Sequence, residues 1–216
     1  MNEPGLRESV VAPVQFWFEF ASTYSYVAAL RIEAVAGSRG VPFEWKPFLL
    51  GPIFRRQGWN DSPFNLYPAR GRYMWRDVER LCGKHGLPFK KPTVFPRNSV
   101  LAARVACAGA GQGWLPGFVR GVYRANFAYD RDVSDATVIE EILGTIGQQG
   151  ARVIGLAISA ENKERLRRET ETAWDLGIFG APTCVVGGEL FWGNDRMDDA
   201  LDWYTTKGGG GACPNT

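Results

Sequence analysis

The chain has 216 residues, 45% hydrophobic and 22% charged, an ordinary globular balance that accommodates one domain with a sizeable insert. A formal net charge of +2 is too small to point to nucleic acid, and a single histidine, His85, excludes a multi-histidine metal site. Four scattered cysteines (Cys82, Cys107, Cys184, Cys213) form no CxxC, so no metal cage, disulfide framework or dithiol redox pair is readable.

The opening MNEPGLRESVVAPVQ lacks the basic start and long apolar run of a secretory leader. No stretch reaches the roughly 18–20 apolar residues of a membrane span. A cytoplasmic protein is expected. In residues 14–20, Val14, Phe16, Phe18 and Phe20 alternate with Gln15, Trp17 and Glu19, a strand pattern. Residues 24–36 are apolar nearly all round and predict one helix buried against a sheet, ended by Gly37 and Gly40. Residues 41–46, VPFEWK, read as a second strand.

Residues 51–70 are rich in Gly, Pro and Asn and read as loop. Helical spacing returns over 71–84 (Met74, Val78, Leu81), 98–109, 114–127 and 135–147, the last with Ser134 as N-cap. Residues 160–176 predict a charged helix with Leu166, Thr170, Ala173 and Trp174 inward. "PTCVV" (182–186) and "ELFW" (189–192) flank Gly187-Gly188, a hairpin signal. Residues 195–206 predict a last helix. The order βαβ, helices, αββα is that of an α/β thioredoxin-like fold with a helical insertion between an N-terminal βαβ and a C-terminal ββα unit. Residues 13–58 and 160–206 would form the thioredoxin-like domain, 59–159 the insert and 207–216 a glycine-rich flexible tail.

Four features could carry chemistry. Ser22-Thr23-Tyr24-Ser25 stands where such a fold places a redox CxxC, at the start of its first helix. Serine cannot exchange disulfides, but it can donate a hydrogen bond to a thiolate held by another molecule; the plain alternative is that Ser22 or Ser25 only caps the helix. Ala181-Pro182 opens a strand, and a cis bond there would leave Ala181's N–H and C=O to pair with a peptide backbone. An ordinary trans proline is the alternative. Asn194-Asp195 enter the last helix, where free N–H groups bind a carboxylate and Asp195 could accept from an ammonium; both could equally be caps. Arg70, Arg72, Arg76, Arg80 and Lys84 share a helix face, for an anionic substrate or as a solvated surface balanced by Asp77 and Glu79. His85, Cys82, Cys107 and Cys184 read as structural.

Taken together, "FEFASTYSY" (18–26), "WKPFLLGPIFRRQGWN" (45–60), "PARGRYMWRD" (68–77) and "FGAPTCVVGGELFWGNDRM" (179–197) resemble the 2-hydroxychromene-2-carboxylate isomerase family. That family has a DsbA-like thioredoxin fold and is related to the kappa-class glutathione transferases. The resemblance implies glutathione as cofactor, a small aromatic carboxylate as substrate and a homodimer. It implies that Ser22 hydrogen-bonds the glutathione sulfur and that Asn60 lies near the sulfur and substrate. Arg70 would sit near the glycyl end, where relatives usually have lysine. Ala181, followed by Pro182, would pair with the cysteinyl backbone, and Asn194 and Asp195 would hold the γ-glutamyl end. Two departures bear on this. Thr23 replaces the family's usual proline, and Trp59 is an extra residue before Asn60 relative to the kappa transferases.

The implied reaction interconverts 2-hydroxychromene-2-carboxylate and trans-o-hydroxybenzylidenepyruvate, a step of naphthalene-type aromatic catabolism. Ser22 and the helix start would each favour the thiolate by on the order of 1 kcal/mol. Arg70 or a neighbour on its stripe would steady the substrate carboxylate. A kappa-type transferase or peroxidase would use the same residues, and a non-enzymatic binding scaffold would use only the proline loop. Ser22→Ala is expected to lose activity with little loss of stability.

Overall fold

The computed structural model describes residues 12–208. Residues 1–11, within the stretch read as lacking a secretory leader, and residues 209–216 of the expected flexible tail lie outside the described residues. Lys207 and Gly208 belong to the last helix, which therefore runs two residues further than expected.

Four strands, β1 (Val14–Phe18), β2 (Phe43–Pro47), β3 (Thr183–Val186) and β4 (Glu189–Trp192), form a sheet in the order β2-β1-β3-β4. β2 runs parallel to β1, while β1–β3 and β3–β4 are antiparallel, so Phe16 faces Trp45 on one side and Cys184 on the other. β1 is interior, and both of its faces are covered. Val14, Phe16 and Phe18 enter the main core, and Trp17 enters a second, smaller cluster with Phe48, Ile53, Ala173, Ile178, Ala181 and Val185. Burial on both faces explains why this strand is so densely apolar.

The helices are α1 (Thr23–Ala29), α2 (Ile32–Ser38), α3 (Leu50–Arg56), α4 (Pro63–Leu66), α5 (Pro68–His85), α6 (Val100–Ala108), α7 (Leu115–Phe127), α8 (Ala136–Thr145), α9 (Gly150–Ala157), α10 (Ala160–Asp175) and α11 (Met197–Gly208). A short 3₁₀ turn, Asn194–Arg196, precedes α11. The order of elements is the thioredoxin-like arrangement with inserted helices that the sequence predicts. Aromatic side chains join the β1–α1 turn and α1 to the insert: Phe20 packs on Tyr123 of α7 at 5.1 Å and Tyr26 on Phe127 at 5.4 Å. Each fully buried side chain of this size contributes about 1.5–3 kcal/mol. None of the described helices is long and apolar enough to cross a membrane.

Four expectations are corrected. The single helix over 24–36 is broken at Leu30–Arg31, where Arg31 N–H bonds Ala28 C=O one residue short of helical spacing. The stretch 51–70 is not loop but holds α3, α4 and the start of α5. Its prolines fall in first turns, where a missing N–H removes no helical bond, and Ser62 caps α4 through the Phe64 N–H. Asp135 rather than Ser134 caps α8, accepting from Thr137 N–H at 2.8 Å, while Ser134 bonds Asp132. On α10, Trp174 lies outward under the Arg56 guanidinium, and Asn162 takes an inward place beside Leu166, Thr170 and Ala173.

Candidate active site

A cavity of about 1180 Å³ opens where the β1–α1 turn, α3, α5, residues 95–100 and the loops around 180 and 194 converge. Ser22, Asn60, Arg70, Ala181, Asn194 and Asp195 all line it; Pro182 is not a lining residue. The first three come from separate stretches of the N-terminal half and the others from the C-terminal end, so the fold brings the sequence candidates to one place.

Ser22 sits at the centre of this convergence. It is the N-cap of α1: its Oγ accepts from Ser25 N–H at 3.2 Å. The same hydroxyl donates to Ala181 C=O at 2.8 Å. The Ala181–Pro182 bond is cis, as the sequence reading allowed. That carbonyl is therefore not free, contrary to expectation, because the proline loop lies one hydrogen bond from the α1 cap. Pro182 C=O accepts Gly193 N–H at 2.9 Å, which ties the loop to the end of the hairpin. A second cis bond, Phe95–Pro96, belongs to two further lining residues that no sequence motif singles out.

Asn194 is buried, and its Oδ1 accepts from Arg31 Nη1 at 3.0 Å rather than serving the helix start. Arg31 also lies 3.6 Å from Asp198, which Arg39 grips at 2.7 Å. The break between α1 and α2 thus falls at the residue that orients Asn194, leaving the amide's NH₂ for other partners. Arg31→Ala is expected to destabilise the fold by about 1–3 kcal/mol, because a buried acceptor loses its donor. Thermal melting checks this, and an unchanged midpoint would refute the strut. Asp195 is solvent-exposed, with Arg196 at 3.8 Å.

The basic stripe divides. Arg76 pairs with Glu79, and Arg80 lies 3.4 Å from Asp77, as a solvated face would. Asp77 also accepts the Tyr24 hydroxyl at 3.1 Å inside the cavity. Arg70 faces the cavity with its guanidinium over the Tyr67 ring at 4.6 Å. Among the other lining arginines, Arg97 is spent on Asp130 and Asn126, and Arg196 on Asp199. Arg55, on α3, lines the cavity and forms no ion pair among the described residues. It was missed because its segment reads as loop. The rim carries Phe179 against Trp192 at 4.7 Å, over Gly180, where a Cβ would stand 2.3 Å from the indole nitrogen.

Cys82, Cys107 and Cys184 are buried outside the cavity lining, and burial pushes their thiols up to about 11, 12 and 12. Glu19 was also passed over, because it falls on the alternating polar face of residues 14–20. Its carboxyl is buried in the cavity wall, and burial pushes it up to about 7 against the lowering pull of the Ser99 hydroxyl and the Ala21 and Ser22 N–H groups. An unfolded glutamate titrates near 4.5, so between these values the folded chain holds a proton the unfolded chain has released. Folding therefore loses stability as pH rises through this window, by up to about 3 kcal/mol. The melting temperature should fall with pH between 4.5 and 7 more steeply in wild type than in Glu19→Gln. Parallel profiles would mean that this carboxyl does not titrate there.

Known proteins share this architecture. A 2-hydroxychromene-2-carboxylate isomerase from Sphingobium xenophagum is 27% identical over 186 residues, 86% of this chain and 94% of the relative. Glutathione S-transferase kappa 2 from Caenorhabditis elegans is 25% identical over 207 residues, 88% of this chain and 90% of the relative. A solved structure of a 2-hydroxychromene-2-carboxylate isomerase superposes with a TM-score of 0.81 at 21% identity, covering 94% of this chain and all of that one. The resemblance read from the four sequence blocks is thereby borne out. The DSBA-like thioredoxin domain family matches residues 13–204, nearly the whole described structure, and the chain belongs to that family.

Proposed function

We propose that the protein is a glutathione-dependent isomerase acting on 2-hydroxychromene-2-carboxylate, or a related product of aromatic ring cleavage. The observation that carries this reading is a serine hydroxyl, not a cysteine, at the meeting point of the α1 cap and the cis-proline loop. The described cysteines are buried elsewhere with raised thiols, so none of them supplies a sulfur nucleophile to this cavity, and glutathione would. The volume favours two occupants, since about 300–1,000 Å³ serves one small ligand.

The lining residues fit the tripeptide. The Asn194 NH₂ and the Asp195 carboxylate suit the carboxylate and ammonium of a γ-glutamyl end. Ala181 and the Ser22 hydroxyl are close enough together to serve one cysteinyl unit. Arg70 suits the glycyl carboxylate, and Asn60 lines the space between. Bound, glutathione supplies a thiolate that adds reversibly to the conjugated carbon, lets the former double bond turn, and leaves unchanged. Ser22 turns its hydroxyl proton from Ala181 to the sulfur, a rotation about one bond. That donor favours the charged over the neutral thiol, whose pKa is otherwise about 8.5. α1 has only seven residues, so the hydroxyl rather than a long helix dipole is the main support. Arg55 and Arg70, which form no ion pair among the described residues, offer positive charge to the substrate carboxylate and to the enolate oxygen that develops. Phe54, Trp59, Phe179 and Trp192 give the aromatic ring apolar walls.

The test mixes protein, glutathione and the chromene carboxylate, and follows substrate absorbance and free thiol together. Conversion to the ring-opened trans isomer with free thiol constant supports the reading. Stoichiometric loss of thiol replaces it with a kappa-like transferase. No conversion, with no thermal shift in millimolar glutathione, leaves only a binding scaffold.

A further inference from the structure

Glu19 has no part in the steps above, yet it is bonded to the turn that performs them. Its Oε2 accepts Ala21 N–H at 2.9 Å, and its Oε1 accepts the Ser99 hydroxyl. Its backbone carbonyl accepts Ser22 N–H at 3.0 Å and the Tyr123 hydroxyl at 2.9 Å. The carboxyl thus sits against the main chain of the residue whose side chain would face the thiol, in the wall of the same cavity.

The groups facing it are few. From α7 comes Tyr123, whose phenol burial keeps neutral by pushing its titration well up. From residues 95–100 comes Ser99; Arg97, which lines the same cavity, is committed to Asp130 and Asn126. From the α1 cap comes Ser22, which is uncharged. No cation among the described residues pairs with Glu19. Two acids in one poorly solvated wall do not both ionise readily; they titrate as a coupled pair.

We propose that Glu19 is the proton-holding partner of the glutathione thiol. When the thiolate forms, the S–H bond breaks, an O–H bond forms on the Glu19 carboxyl, and the cavity keeps one proton and one negative charge. Glu19 acts through the Ser22 turn and is a positioning residue for charge, not a group that touches substrate. Its titration near neutrality suits such an exchange. The proposal rests on the glutathione reading.

Calorimetry of glutathione binding at pH 8, in two buffers of different ionisation enthalpy, tests it. Wild-type protein should release almost no proton to buffer, because ionised Glu19 takes it up. Glu19→Gln should release more, rising toward roughly three quarters of a proton per site, the share of free thiol still protonated at this pH. Equal release by two variants that both bind overturns the proposal and leaves the glutathione reading standing. No binding by wild type sinks both. Should Glu19→Gln fail to fold, the infrared spectrum of wild type decides: a protonated-carboxyl band that grows with glutathione at pH 8 supports the proposal, and an unchanged band overturns it.

Discussion

Replacing Ser22 by alanine is expected to slow glutathione-dependent turnover about 10- to 150-fold, the equivalent of about 1.5–3 kcal/mol for a hydrogen bond to a charged partner. The sequence alone suggested that stability would hardly change. The structure revises this, because the hydroxyl caps α1 and also ties down Ala181. Loss of an N-cap costs about 1 kcal/mol, whereas glycine at that position costs only a few tenths. Ser22→Gly should therefore melt closer to wild type than Ser22→Ala while losing turnover equally. Ser22→Thr, which keeps a hydroxyl, should retain most of both. If Ser22→Gly kept wild-type turnover and wild-type thiolate absorbance near 240 nm, the hydroxyl would have no role at the sulfur.

Gly71→Ala should produce the second large effect, on the scaffold. A Cβ at this position would lie 2.2 Å from the Phe64 carbonyl oxygen, where α5 crosses α4. The obstacle is main chain, so no side-chain rotation relieves it and α4 has to lift. Overpacking of this kind costs about 1–3 kcal/mol, which for a chain of this size lowers the melting temperature by about 2–12 °C. Ser62, Pro63 and Phe64 line the cavity, so glutathione affinity should fall as well. Gly83→Ala is the internal control: it lies on the same helix with nothing within 4 Å of its Cβ. That change should be neutral or stabilising, by about 0.4–1 kcal/mol. Identical melting of the two variants would show that the α4–α5 crossing adjusts freely.

Much of the sheet was legible because its side chains obey simple periods. Val14, Phe16 and Phe18 mark β1, and Gly187-Gly188, both at positive φ, mark the hairpin. Six of the seven candidate site residues line one cavity, although each read singly as a cap, an ordinary proline or a solvated charge; only the sequence blocks taken together singled them out. What stayed hidden depends on contacts distant in sequence. Arg31 looks like a solvent-facing interruption of a helix until Asn194, 163 residues away, is beside it. Proline-rich composition disguised α3 and α4, since a proline in a first turn and a proline in a loop read alike. That concealed Arg55. Glu19 falls on the alternating polar face of residues 14–20, just past the end of β1, where it reads as solvent-facing. Only the helices packed over β1 reveal that the carboxyl is enclosed.

The small cluster behind β1 carries a further implication. Ile53 of α3 and Ala181 of the proline loop share it with Trp17 and Phe48. Arg55 and Phe54, which face the prospective aromatic partner, are carried on the same short helix as Ile53. Remodelling that helix to admit a bulkier ring would therefore disturb the proposed seat of the sulfur through shared packing. A change in selectivity and a change in nucleophile reactivity should arrive together, and separating them would require a compensating substitution at the rear of the sheet.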